Sequence, residues 1–262
     1  MVMHKIRERD EQGISESIGF MLIFTLIIVG IGLVTLYGYP LLLEQQVNAD
    51  TRIMEKNMIV IQNDIKSLTY KSVPYKETSL KIGGGMLTVY NTTANPTPSF
   101  IISDLNGPIA VFNPGQLQYE SVSAQQVIAI ENGAVITRPI YQPGSVMLAE
   151  PRWFSDTDPI TSKTTTVIYL IGINSTDILS RTGVGTVQMQ LQQDMTNYTE
   201  VSAPSNPIIV TYTPDPANDF SDAWRNYITI SLNWVETAPN TYQLPTSDTL
   251  IIKKYDIMVK GL

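Results

Sequence analysis

Residues 17–43 read SIGFMLIFTLIIVGIGLVTLYGYPLLL, 27 positions between Glu16 and Glu44 without one charged side chain. A helix of that length reaches about 40 Å, more than the roughly 30 Å of a bilayer's hydrocarbon layer. A helix buried in a soluble domain rarely runs so far without a polar face. Gly30, Gly32 and Gly38 fit the reading, because glycine is common in membrane helices. Tyr37 and Tyr39 stand at the far end, where interfacial aromatics belong, and Pro40 is expected to bend the helix there. The apolar run is longer than the core of a secretory signal, and no small-x-small cleavage site follows it. The segment is therefore expected to stay on the protein.

The flanks set direction and extent. Lys5, Arg7 and Arg9 precede the span in the leader MVMHKIRERDEQG, which favours a cytoplasmic N-terminus with the rest of the chain outside. Beyond the span, Val47, Met54, Met58, Ile61, Ile65 and Leu68 recur at three-four spacing, with Thr51 at the remaining seam position. That pattern predicts an amphipathic helix whose apolar stripe packs on the protein's own domain. Pro40 and Pro74 bracket a proline-free stretch, so one helix is expected from near Ser15 to about Thr69.

From residue 71 the chain reads as β-structure. SLKI-GGG-MLTVY suggests two strands around a glycine turn, and short Val-, Ile-, Thr- and Tyr-rich runs follow, punctuated by Asn-Gly, Pro-Gly and Asn-Pro. Residues 219–227, DFSDAWRNY, are the one plausible helix among them. The expected class is α+β: a long N-terminal membrane and stalk helix, then a mainly antiparallel β-sandwich-like domain. The expected divisions are a leader at 1–13, the helix at 14–70 and an extracellular β-rich domain at 71–262.

Composition narrows the function. The chain has no cysteine and one histidine, His4 in the leader, so thiol chemistry, Ser-His-Asp hydrolysis and HExxH zinc chemistry have no residues to work with. A net charge of −7 argues against a nucleic-acid partner. No enzymatic activity, metal or cofactor is expected. Asp156 with Asp158, and Asp215 with Asp219 and Asp222, are candidate oxygen ligands for calcium, but neighbouring Pro and Ser favour turns and caps. Trp153, Trp224 and Trp234 are weighed as a sugar platform and expected to be core. Asn91-Thr-Thr, Asn174-Ser-Thr and Asn197-Tyr-Thr are candidate N-glycosylation sites in the outer domain.

The junction at residues 12–20, QGISESIGF, ends a charged leader in glycine ahead of the apolar helix. It resembles the class III signal of archaeal type IV pilins and related archaellins. The stretch ESIGFMLIFTLIIVGIGLVTLYGYP is also similar to a family of archaeal membrane-anchored proteins. The first resemblance, which covers about the first third of the chain, implies that a prepilin peptidase cuts between Gly13 and Ile14. It further implies that the helix joins like helices in a filament, with close packing at Gly30 and Gly32. Glu16 would be the third residue after the cut, whereas bacterial type IV pilins carry their assembly glutamate at the fifth. Its role as an assembly residue is therefore an offset match, and a helix-dipole role is the simpler one. The expected partners are a membrane, the prepilin peptidase and further pilin subunits. The alternative is a permanently anchored single-pass surface protein whose β-domain binds a partner or envelope carbohydrate.

Overall fold

The computed structural model describes residues 2–71, 73–93, 98–205 and 207–262, with side chains described from Ser17 onward except at 193–196. The chain begins with α1 (Val2–Leu33), passes through a five-residue π-helical turn at Val34–Gly38, and continues as α2 (Tyr39–Tyr70). Helix thus starts well before Ser15, in keeping with the Glu, Arg, Lys and Gln content of the leader. At Pro40, where the sequence predicts a bend, the structure shows a π-turn just ahead of the proline. There the Tyr39 N–H reaches back five residues to the Val34 carbonyl. Proline has no N–H and its ring crowds the carbonyl four residues earlier, which a wider turn relieves.

The chain forms two compact units, Met1–Ala49 and Asp50–Leu262. In the first, every large apolar side chain from Ile18 to Leu43 is exposed. Among the described residues, the second is built from the end of α2, fourteen strands and a short helix. The strands are β1 (Tyr75–Tyr90), β2 (Ser99–Asp104), β3 (Gly107–Phe112), β4 (Gln116–Ser121), β5 (Gln126–Glu131), β6 (Ala134–Pro139) and β7 (Val146–Ala149). Then come β8 (Trp153–Thr157), β9 (Thr164–Ser175), β10 (Ser180–Ser202), β11 (Ile209–Thr213), β12 (Val235–Ala238), β13 (Thr241–Gln243) and β14 (Thr249–Gly261). A short helix, α3 (Ser221–Asn226), lies between β11 and β12 where a helix is expected, and runs on into a π-turn at Tyr227–Ser231.

Nine strands form one sheet in the order β7-β6-β5-β4-β1-β10-β14-β9-β8, and five form a second in the order β12-β13-β11-β2-β3. Pairing is antiparallel except between β9 and β14. The class is α+β, a long apolar helix followed by a mostly antiparallel β-domain.

Alternation along the strands explains the layering. In β5, Val127 and Ala129 point into a core shared with Phe100, Val210, Tyr212 and Tyr242 of the smaller sheet. Ile128 and Ile130 point the other way, into a core shared with Met54, Met58, Ile61, Ile65 and Leu68 of α2. A strand that buries both faces reads as a continuous apolar run, as in β9 with TVIYLIGI. The α2 seam is fully buried at those five positions, so the helix from Asp50 onward is part of the β-domain's core. All three tryptophans are core residues: Trp153 and Trp234 stack at 5.9 Å, and Trp224 meets Phe100 edge-on at 4.8 Å.

The glycine run departs from expectation. SLKIGGGMLTVY belongs to the single strand β1 and is a register break between Ile82 and Leu87, not a hairpin turn. Close packing is the reason. A Cβ on Gly83 would sit 2.6 Å from the Asp50 carboxyl carbon, and one on Gly85 would sit 2.3 Å from the Glu120 carbonyl oxygen. Gly84 takes φ +65°, in the left-handed region glycine tolerates. The carbonyls freed by the break are not orphaned. Tyr119 donates its hydroxyl to the Gly83 oxygen, and Ser121 Oγ donates to the Gly84 oxygen at 2.7 Å.

Candidate functional site

The most unusual chemical feature is the apolar surface of the first helical unit. From Ser17 the helix is long and apolar enough to cross a membrane. Phe20 is 71% exposed and Leu26 70%, values typical of polar surface residues, and no side of the helix is spared. An exposed apolar area of this kind marks a membrane or partner surface. Gly30 and Gly32 lie on it, and a Cβ at either meets nothing within 4 Å. The chain itself therefore makes no use of their small size. Gly13, Ile14 and Glu16 fall within α1, and their side chains lie outside the described part of the structure.

The three sequons have different surroundings. Asn91 and Asn174 form a reciprocal clasp. Asn91 Oδ1 accepts from Ser175 N at 2.7 Å and Ser175 Oγ at 2.9 Å, while its Nδ2 donates to the Ser175 carbonyl at 3.0 Å. Asn174 Oδ1 accepts from Thr92 N at 3.0 Å and Thr92 Oγ1 at 2.8 Å. Two sequons thus tie the end of β1 to the end of β9, and the Asn91 amide is occupied at both ends. Asn197 is exposed on β10.

Three of the acidic candidates sit in turns, Asp222 lies in α3 and Asp156 in β8. Asp158 Oδ1 accepts from the Ile160 and Thr161 amides, which holds its carboxyl below the usual range. Asp215 and Asp219 each accept from an amide two residues on, at 2.8 Å, and Asp222 pairs with Arg225. The bonds at Asp158, Asp215 and Asp219 are turn-building geometries, as the sequence suggests, whereas the Asp222 pair lies within α3. Asp156 is an exposed strand residue opposite Thr165.

One polar site was not legible beforehand. Glu131, fully buried at the end of β5, accepts from Tyr212 Oη at 3.0 Å and Trp224 Nε1 at 2.7 Å through Oε1, and from Gln116 Nε2 through Oε2. Its donors come from β4, β11 and α3, so it bonds the two sheets and the short helix to one carboxyl group. Burial pushes its pKa up to about 7, and the three donors only partly oppose that. The sequence signal is a glutamate ending an apolar strand beside the Asn132-Gly133 turn. The geometry is that of an inter-sheet tie.

No curated protein and no solved structure matches the chain. A family model does match, over residues 12–259, which is nearly the whole sequence. The chain belongs to DUF7289, a family of unknown function.

Proposed function

We propose that the protein is a non-enzymatic, pilin-like subunit of an extracellular archaeal type IV filament, stored in the membrane and assembled through its N-terminal helix. The observation that carries this reading is the all-round apolar surface from Ile18 to Leu43, which has no covering side chains and directly follows the Gly13–Ile14 junction.

In mechanism, a prepilin peptidase removes residues 1–13 and leaves Ile14 as the new N-terminus. The helices then leave lipid for a bundle of like helices. That transfer brings no ordinary hydrophobic gain, so it depends on close contact, and Gly30 and Gly32 supply surfaces where backbones approach. The β-domain faces the exterior, where Asn197 is the most available glycan acceptor of the three sequons.

Replacing Gly13 with leucine in the natural host is the test. The expected result is a full-length protein that inserts normally, keeps its leader and yields no surface filament, because the bulky side chain obstructs the peptidase while the span is unchanged. A Gly13→Leu protein with wild-type mobility and N-terminus would overturn the cleavage site. Normal leader removal in the wild type without any filament would favour the anchored surface protein.

A further inference from the structure

An open cleft of about 670 Å³ lies in the β-domain between the β4–β5 turn, the β6–β7 connection and α3. Its size is in the range of small-ligand sites. Arg138, Arg225 and Asp222 are its charged lining residues, a local surplus of one positive charge on a chain whose net charge is −7. Arg225 is paired with Asp222, and their side chains remain 48% and 42% exposed. Arg138 is fixed differently: Nη1 donates to the Ala217 carbonyl at 3.0 Å, while its Nε is enclosed and has no acceptor among the described residues. A guanidinium has five N–H donors in a planar fork, so Arg138 has donors to spare.

The remaining lining includes both polar and apolar residues. Gln126 donates its amide to Thr137 Oγ1 and to Glu55 Oε1, which leaves its carbonyl oxygen as an acceptor. Asn226, one turn after Asp222 on α3, also lines the cleft. Pro139, Pro143 and Val146 contribute apolar surface to the lining. At the rim, Gln125 holds φ 53° without being glycine, a conformation that must be sustained by its surroundings and is enriched at binding sites.

We propose that this cleft binds a carboxylate-bearing sugar of the hexuronate class. The carboxylate pairs with Arg138 and Arg225, Gln126 and Asn226 take hydroxyls, and the ring's C–H face rests on the prolines and Val146. A surplus of one positive charge matches a monoanionic carboxylate better than a phosphate dianion. The site concerns the β-domain alone and does not depend on the filament reading.

The test is calorimetric titration of the full-length chain in neutral detergent with sodium glucuronate, glucose and inorganic phosphate, each to about 10 mM, where weak sites become measurable. Glucuronate should bind saturably, more weakly at high salt, and glucose and phosphate should bind at least about tenfold more weakly. Arg138→Gln and Arg225→Gln should each weaken glucuronate by about tenfold or more with unchanged melting temperatures. The Arg225 variant alters an exposed residue, so it serves even if the Arg138 variant is unstable. Binding of a glucuronate oligosaccharide better than the monomer would identify an envelope polymer as the source, and equal binding a free acid. Absence of glucuronate binding, equal binding of glucose, preference for phosphate, or full binding by the Arg225 variant would each overturn the proposal.

Discussion

The helical N-terminal segment contains two solutions to the problem of apolar side chains. From Ile18 to Leu43 they cover the whole circumference and are all exposed, whereas from Asp50 onward one seam, Met54, Met58, Ile61, Ile65 and Leu68, is fully buried. Secondary structure is the same in both stretches; the environment each sequence is written for is not. An apolar surface on every side needs lipid or other helices, while a single stripe needs one sheet.

The largest expected effects come from placing a charge in each stretch. Met58→Asp buries a carboxylate in the core between α2 and the large sheet, and should destabilise the β-domain by about 5 kcal/mol or more. Ile27→Asp should leave thermal unfolding of that domain, followed by tryptophan fluorescence, within about 0.5 kcal/mol of wild type. It should instead cost about 3 kcal/mol in membrane insertion. Equal melting temperatures for wild type and Met58→Asp would break the contrast.

Glu131 sharpens it from the other side of the large sheet. Its pKa is raised on folding from 4.5 to about 7, so the native state prefers the protonated form. The stabilisation that this provides is complete below pH 4.5 and is lost as pH rises through about 7. Relative to Glu131→Gln, the wild type should lose about 3 kcal/mol between pH 4.5 and pH 8 in denaturant titrations. Parallel pH profiles for the two proteins would remove the carboxyl group as the cause.

The glycine run provides the smallest and most local effect. Gly85→Ala should cost about 2 kcal/mol, because its Cβ meets a backbone oxygen that cannot move alone. Gly83→Ala should cost less, since the obstacle is the end of the Asp50 side chain. Reversal of that order in thermal melts would contradict the packing of α2 against β1.

What the sequence made legible follows from the range of the interactions involved. The apolar span, the α2 seam and the Asn132-Gly133 hairpin turn depend on neighbours within a few turns or residues, and all are readable from spacing. The tryptophans were legible as core by residue type. The Gly83-Gly84-Gly85 break was not, because its causes, Asp50 and the Glu120 carbonyl, lie on other elements. Neither was Glu131, whose donors stand 15, 81 and 93 residues away along the chain. The β9–β14 parallel pair joins Thr165 to Thr249, and no local pattern announces it. Within the sequons, spacing gave three equal candidates, and only the fold separates the Asn91–Asn174 clasp from the exposed Asn197.

The central claim is that the apolar helix becomes the N-terminus of a processed, assembling subunit. N-terminal sequencing of the protein isolated from its native membrane and from the sheared surface fraction tests this most directly. The account predicts Ile14 as the first residue of the surface material, with Met1 or Val2 confined to unprocessed precursor in the membrane. A native protein that begins at Met1 or Val2 throughout would contradict it.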